Sequence, residues 1–325
     1  MSIENQNFTN ISLQDLLNTQ NRIAKHIIKT PLIENQHLNQ MANRRILLKM
    51  DNLQITGSFK ARGVFNAILH YQEKTGAFPK KIVAQSSGNH AQALAFACNK
   101  FGIEALIYMA KLVPQFKIDA TKKLGANVVI CNTRAEANYL AYQKINDGYL
   151  FLHPSDNEDI VLGQSTATLE AINQAKELCN PQPIEAIFVP CGGGGLLSGA
   201  FLANKFFSKT TKTFGCEPLN ANDAKRSITE GKIFHFSDSP NTIADGARTL
   251  AISERCFFYL KQIADIIEIT EQEIVYWQQL LQNLLNCKIE PTSALSVAGL
   301  FQYIRSGKSQ ESSQPLLAIV SGGNL

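Results

Sequence analysis

No Cys-X-X-Cys pair occurs among the seven cysteines, Cys98, Cys131, Cys179, Cys191, Cys216, Cys256 and Cys287. Their number is odd and their spacing wide. Neither a zinc site nor a disulfide framework is indicated, and reduced thiols in a cytoplasm are expected. No stretch reaches the roughly 18 apolar residues of a membrane span. The opening MSIENQNFTNISL has no basic segment followed by an apolar one, which argues against a secretory signal. The sequons at Asn7 and Asn10 are accordingly read as chance matches. Charge of one sign is scarce too: the net charge is +4, and Lys and Arg are scattered rather than clustered among aromatics, which argues against a nucleic-acid surface. No linker rich in Pro, Gly or Ser, no internal repeat and no low-complexity tract divides the chain. What remains, 45% hydrophobic and 18% charged over 325 residues, is the composition of a globular protein long enough for two domains.

Short apolar runs at 46–50, 81–84, 105–109, 127–130, 186–189, 212–216 and 316–320 read as strands. Amphipathic stretches at 91–100, 114–124, 163–178 and 196–207 lie between them, and 271–285 has apolar residues at helical spacing. Residues 1–45 read as helical, broken at Thr30-Pro31. This alternation predicts parallel sheets with helices on both faces. With no linker, any domain division is made by a chain that crosses over and returns.

Four segments carry chemistry, each at a predicted strand end or its loop, the edge where open parallel sheets bind ligands. In Thr56-Gly57-Ser58-Phe59-Lys60-Ala61-Arg62-Gly63 a lysine opens a helix after a glycine turn. The helix dipole and partial burial lower an amine's pKa there and leave it nucleophilic. A solvated first-turn lysine has the same local sequence. Ser86-Ser87-Gly88-Asn89-His90-Ala91 supplies small residues and donors suited to a carboxylate. The plain alternative is a turn capped by Ser86 or Ser87, with His90 directed to solvent or core.

Pro190-Cys191-Gly192-Gly193-Gly194-Gly195-Leu196 follows a strand and opens a helix. Consecutive glycines free their N–H groups to curl around an anion, at an entropic cost that a merely structural turn does not need. No Lys-Ser/Thr follows, which excludes a Walker A loop. Gly193-X-Gly195-X-X-Ser198 misses the dinucleotide fingerprint by its third glycine, and Glu217 ends the next strand. A nicotinamide site and a single phosphate monoester therefore both stay open for this segment. The last segment, Ser321-Gly322-Gly323-Asn324, is either a frayed tail or a place where Ser321 bonds a ring nitrogen. Glu217, Asn222 and Asp223 offer oxygen ligands for a hard divalent cation, or form a solvated acidic loop.

In this order the segments resemble the fold-type II pyridoxal-phosphate enzymes, in their serine/threonine dehydratase and serine racemase branch. The likeness extends to Lys29-Thr30-Pro31-Leu32, to Phe151-Leu152-His153-Pro154-Ser155-Asp156 and to Gly163-Gln164-Ser165-Thr166. It takes in Gly215-Cys216-Glu217-Pro218, Thr242-Ile243-Ala244-Asp245-Gly246 and Glu290-Pro291-Thr292-Ser293-Ala294, and so spans nearly the whole chain. The resemblance implies an α/β fold of two open twisted parallel-sheet domains, tryptophan-synthase-β-like, with pyridoxal 5'-phosphate in the cleft between them. The large domain would comprise 1–75 and 156–325, the small one 76–155.

By the same resemblance Lys60 carries the cofactor, Phe59 packs beside its ring and Asn89 meets its 3′-oxygen. Gly192, Gly193, Gly194, Gly195 and Leu196 cradle its phosphate, and Ser321 faces its pyridine nitrogen. Ser86, Ser87, Asn89 and His90 line the substrate side. Ser86, Asn89 and His90 hold the carboxylate there, and Ser87 stands where the racemase carries an acid/base on the face opposite the lysine. Glu217, the carbonyl of Ala221, and Asp223 match a divalent-cation site for Mg2+, or for Ca2+ or Mn2+. The implied activity is that of an L-threonine/L-serine dehydratase, an ammonia-lyase, with serine racemase and 3-hydroxyaspartate dehydratase as alternatives. The implied partners are an amino-acid substrate and a second copy in a homodimer, with no nucleic acid and no membrane. A nicotinamide oxidoreductase would leave Lys60, the Ser-Ser-Gly-Asn-His loop and the C-terminal segment unexplained. Arg248 stands where the racemase has a lysine, and the sequence gives that change no consequence.

Overall fold

The first strand pairs against its neighbour and the rest run alongside one another. The computed structural model describes residues 11–111, 113–178, 183–208, 210–263, 265–308 and 314–324. Within them lie β1 (Leu32–Glu34), β2 (Ile46–Met50), β3 (Lys81–Gln85), β4 (Glu104–Ala110), β5 (Asn127–Cys131), β6 (Leu150–Phe151), β7 (Ala186–Pro190), β8 (Lys212–Pro218), β9 (Asp265–Ile269) and β10 (Leu316–Val320). One sheet has the order β1-β2-β10-β7-β8-β9 and the other β5-β4-β3-β6. Every pairing is parallel except β1 with β2. The chain lays down β1 and β2, leaves to build the four-stranded sheet, and returns through helix Glu158–Leu178 to set β7 beside β10.

Strands β2, β7 and β10 are buried at every position, as expected of central parallel strands covered on both faces. Alternate residues feed opposite cores. Phe188 joins Met50, Phe214, Trp277 and Phe301 on one face of the six-stranded sheet, whereas Ile187 and Val189 join Leu197 and Phe257 on the other. A third core lies on the four-stranded sheet, where Ile82, Leu94, Ile107 and Leu152 meet Val64, Phe65 and Ile68 of helix Lys60–Thr75. That helix also crosses helix Glu158–Leu178 so closely that a Cβ on Gly163 would fall 2.4 Å from Gly63 Cα. Only glycine at both positions lets the backbones meet.

The anticipated runs fall on the observed strands, but β1, β6 and β9 are additional. β1 is a three-residue edge strand next to Pro31, β6 has two residues, and β9 is an edge strand bracketed by Asp265 and Glu268. Each is too short, or too polar at its open side, for a clear apolar run. Among the described residues no helix is long and apolar enough to cross a membrane, and the six described cysteines are free thiols. Cys179, Asn7 and Asn10 lie outside the described residues.

Candidate active site

Several helices begin on a side-chain cap, and the two that follow β3 and β7 do not. Ser12 and Thr270 each close a capping box, and Asn35 and Thr133 cap with their side chains. Helices Asn89–Phe101 and Gly195–Phe207 instead follow β3 and β7 on Gly88 and Gly194, with no side-chain cap. Neither Ser86 nor Ser87 therefore acts as a cap. In the second of these helices Ser198 N donates to Gly194 O at 2.8 Å. That is the first intrahelical bond, so the N–H groups of Gly195, Leu196 and Leu197 are left for an outside acceptor.

The glycines before that helix are sterically required. A Cβ would lie 2.5 Å from Gly246 O at Gly192, 2.7 Å from Ser155 Oγ at Gly193 and 2.6 Å from Cys256 Cβ at Gly194. Gly194 has φ +89°, which a side chain disfavours. A bare turn with free donors at the positive end of a helix dipole suits a phosphate.

Lys60 follows a strained turn. Thr56, a β-branched residue, has φ 62° and ψ 18°, a conformation costing on the order of 1–3 kcal/mol. The C-terminal segment holds it. Asn324 Nδ2 donates to Thr56 O at 2.7 Å, Gly323 N donates to Gly57 O at 2.9 Å, and Phe59 N donates to Ser321 O at 3.0 Å. Residues 321–324 are thus part of the lysine turn rather than a frayed tail. From below, Arg62 donates to Asp51 Oδ2 at 2.6 Å and to both oxygens of Glu170 at 2.8 Å. Lys49 reaches the same Glu170 at 2.8 Å.

The Lys60 amine donates to Pro154 O at 3.1 Å and lies 5.0 Å from the centre of the Phe59 ring. Burial draws its pKa down to about 8, opposed by Cys256 and Glu290. Among the described residues no carboxylate forms an ion pair with it. Asn89 Nδ2 donates to the two oxygens of Glu290 at 3.1 and 2.9 Å, and Asn89 Oδ1 accepts from Asn324 at 2.8 Å. Glu290 is buried, and burial pushes its carboxyl up to about 7. Sequence reasoning quoted Glu290 in a motif but gave it no role. The available signal was an acidic residue directly before a proline that opens a helix.

Ser321 is buried, with its hydroxyl 3.1 Å from that of Ser293, so the end of β10 presents neutral hydroxyls. Ser86, Ser87 and Asn89 sit half-buried on one turn. His90 is different. Its ring is buried, Nε2 donates to Leu152 O at 3.1 Å, and Nδ1 has no partner. Burial, then the Lys60 charge, lowers its pKa to about 3. The neutral ring has used its one N–H, so the side chain has no donor left for a carboxylate.

Glu217 and Asp223 are buried together. Glu217 accepts from Ala224 N at 3.2 Å and Lys225 N at 2.7 Å, and Thr249 Oγ1 donates to Asp223 at 3.4 Å. Burial raises Glu217 well above the carboxylate range, with Asp223 adding to it, and burial raises Asp223 to about 7. Among the described residues no group of three or more His, Cys, Asp or Glu side chains is arranged to hold a metal. The pair offers two carboxylates beside the buried Ala221.

A family profile described as "Pyridoxal-phosphate dependent enzyme" matches residues 23–322. The chain belongs to this family. Serine racemase of Dictyostelium discoideum is 35% identical over 319 residues, covering 97% of this chain and 95% of the relative. L-threo-3-hydroxyaspartate ammonia-lyase of Saccharomyces cerevisiae is 34% identical over 314 residues, covering 96% and 92%. The crystal structure of a T.th. threonine deaminase superposes with a TM-score of 0.89 at 37% identity, covering 97% of this chain and 99% of that one. Membership of the pyridoxal-phosphate dependent family sets aside the dinucleotide reading of the glycine turn and fits its geometry. The turn is bare, its donors are free, and a half-buried amine of lowered pKa stands beside it.

Proposed function

We propose that the protein is a pyridoxal-phosphate-dependent ammonia-lyase acting on small β-hydroxy amino acids, L-threonine and L-serine among them. The observation that carries this reading is the Lys60 amine, half-buried, without an ion pair among the described residues and brought to about 8, so that some free base exists near neutral pH. Residues Gly192, Gly193, Gly194, Gly195 and Leu196 would hold the cofactor's phosphate, Phe59 would flank its ring, and Asn89 and Ser321 would meet its ring oxygen and nitrogen. Bound there, the cofactor withdraws electrons from the amine-bearing carbon of the substrate. Lys60 would take the proton from Cα and the β-hydroxyl would leave from the neighbouring carbon as hydroxide, the proton and the hydroxide together amounting to one water lost; a water added back on hydrolysis of the product would release the 2-oxo acid and ammonia. The backbone N–H groups and hydroxyls of Ser86 and Ser87 bind the substrate carboxylate, and His90 contributes its backbone rather than its ring. Ser321 and Ser293 are neutral, so no carboxylate at the end of β10 holds a proton on the ring nitrogen.

Serine racemisation is the second reading, and the half-buried hydroxyl of Ser87 beside an uncapped helix start favours it. Glu217, Ala221 and Asp223 are proposed to bind Mg2+, with Ca2+ or Mn2+ as substitutes, because two buried carboxylates side by side call for a cation. The cleft is proposed to lie between a large domain, 1–75 with 156–325, and a small one, 76–155, in a cytoplasmic homodimer that sedimentation would test.

The experiment is a parallel assay of L-serine and L-threonine for 2-oxo acid and ammonia, with chiral analysis of remaining serine. Lys60→Ala is expected to abolish both products and the cofactor's visible band. Ser87→Ala is expected to keep elimination and lose D-serine. Holoprotein that turns over neither substrate would overturn the ammonia-lyase reading.

A further inference from the structure

Glu290 is a buried carboxylate whose partner is an amide. It is 3% exposed and, among the described residues, forms no ion pair. It stands directly before helix Pro291–Arg305, yet its side chain makes no cap bond there. Both oxygens accept instead from Asn89 Nδ2, at 3.1 and 2.9 Å. The fold leaves room for them: a Cβ on Gly322 would fall 2.4 Å from Glu290 Oε1. The charges that act on Glu290 are Asp245, which raises its pKa, and Lys117 and Lys60, which lower it. Burying an acid without a cation costs stability, and here the side chain's hydrogen bonds go to Asn89.

The direction of each hydrogen bond in this chain is fixed by its ends. The carbonyl of Thr56 and the carboxylate of Glu290 can only accept. Asn324 Nδ2 therefore donates to Thr56 O at 2.7 Å and to Asn89 Oδ1 at 2.8 Å. Asn89 turns its oxygen to Asn324 and its nitrogen to Glu290. Turned over, the Asn89 amide would set an oxygen against the carboxylate and an NH2 group against that of Asn324. The two oxygens of one carboxylate lie too close together to take both amide hydrogens, so one N–H of Asn89 stays free. Asn89 is half-buried at the uncapped start of helix Asn89–Phe101, and Asn324 ties it to the turn before Lys60.

Resting on the cofactor placement proposed above, we infer that Glu290 is a positioning residue: acting through Asn89, it keeps an N–H donor rather than a carbonyl oxygen on the 3′-oxygen of the pyridoxal ring. When Lys60 is joined to the cofactor, one proton is shared between that oxygen and the linking nitrogen. A donor on the oxygen stabilises its anion. The proton then stays on the nitrogen, in the form that absorbs in the visible and whose carbon is the better electrophile for an incoming amine. With the donor lost, the proton passes to the oxygen and the absorption moves to the near ultraviolet.

The test is the absorption spectrum of holoprotein at a pH above 7, where Glu290 is ionised. Wild type is compared with Glu290→Gln and with the double variant Glu290→Gln, Asn89→Asp. In the single variant an NH2 group replaces one of the acceptor oxygens that face Asn89. The ratio of visible to near-ultraviolet absorbance is expected to fall roughly tenfold. The double variant keeps the charge and the hydrogen bond but exchanges donor and acceptor, so position 89 has no N–H to offer. Its stability in urea should return towards that of the wild type while the ratio stays low. An unchanged ratio in the single variant would overturn the inference, because the Asn89 amide would then keep its orientation without Glu290. A double variant that regains both stability and the visible band would overturn it too, leaving Glu290 a structural prop. Should the single variant fail to fold, the double variant alone decides. Wild-type protein with no visible band when supplied with pyridoxal 5'-phosphate would overturn the cofactor placement itself, and this inference with it.

Discussion

Two groups of buried charge flank the lysine turn and the glycine turn, and they are built in opposite ways. Under Lys60, two cations meet two anions: Arg62 and Lys49 with Asp51 and Glu170, joined further by Thr30 and Thr166. Behind the glycine turn, Glu217 and Asp223 are two anions whose partners are backbone N–H groups and the Thr249 hydroxyl. In the first group Arg62 holds Asp51 below the ordinary carboxylate range despite the opposing effect of burial. In the second, burial pushes both carboxyls up. A balanced set inside the protein fixes backbone, here the first turn of the helix that begins at Lys60. An unbalanced set marks a place for a ligand of opposite charge.

The sharpest way to break this comparison is to unbalance the first group. Arg62→Leu leaves Asp51 and Glu170 buried without their main partner and is expected to cost about 3–5 kcal/mol in urea unfolding. A loss under about 1 kcal/mol would mean the network does not set the lysine turn. Next, adding Mg2+ balances the second group. At a hundredfold excess over its Kd the stability of the wild type should rise by about 2.7 kcal/mol, and Asp223→Asn should remove that rise. A thermal shift that survives the substitution would place the ion elsewhere.

The pH response sharpens the contrast further. Asp223 is raised from 3.8 to about 7, mainly by burial. A raised folded-state pKa contributes stability that is full below the unfolded value and lost as pH rises through the folded one. Metal-free protein should therefore lose stability between about pH 4 and pH 7, with Glu290 acting in the same direction. Saturating Mg2+ should flatten the Asp223 part of that slope, and an identical slope with and without the ion would contradict the pairing. The smallest effect belongs to an exposed pair. Arg45 and Glu34 meet at 2.6 Å while both remain partly solvated, and Arg45→Ala should cost only about 0.2–1 kcal/mol.

Much of this arrangement was legible in the sequence because it depends on local patterns. The runs at 46–50 and 316–320 became adjacent strands, and the glycine turn became an uncapped helix start, since apolar period and glycine content act locally. What could not be read was side-chain pairing across long separations. Glu290 reaches Asn89 from 201 residues away, and Arg134 meets Arg248 across 114. Neither partner is marked by its neighbours in the chain. The ring of His90 could not be placed either, because its direction depends on whether the Leu152 carbonyl is there to accept its proton. β9 was missed for a related reason: its acidic residues look like loop until β8 supplies the partner.

The central claim concerns a single amine. Borohydride reduction of holoprotein followed by peptide mass spectrometry should find the cofactor fixed to Lys60, with loss of the visible band. An adduct on any other lysine, or protein that stays colourless when supplied with pyridoxal 5'-phosphate, would contradict it.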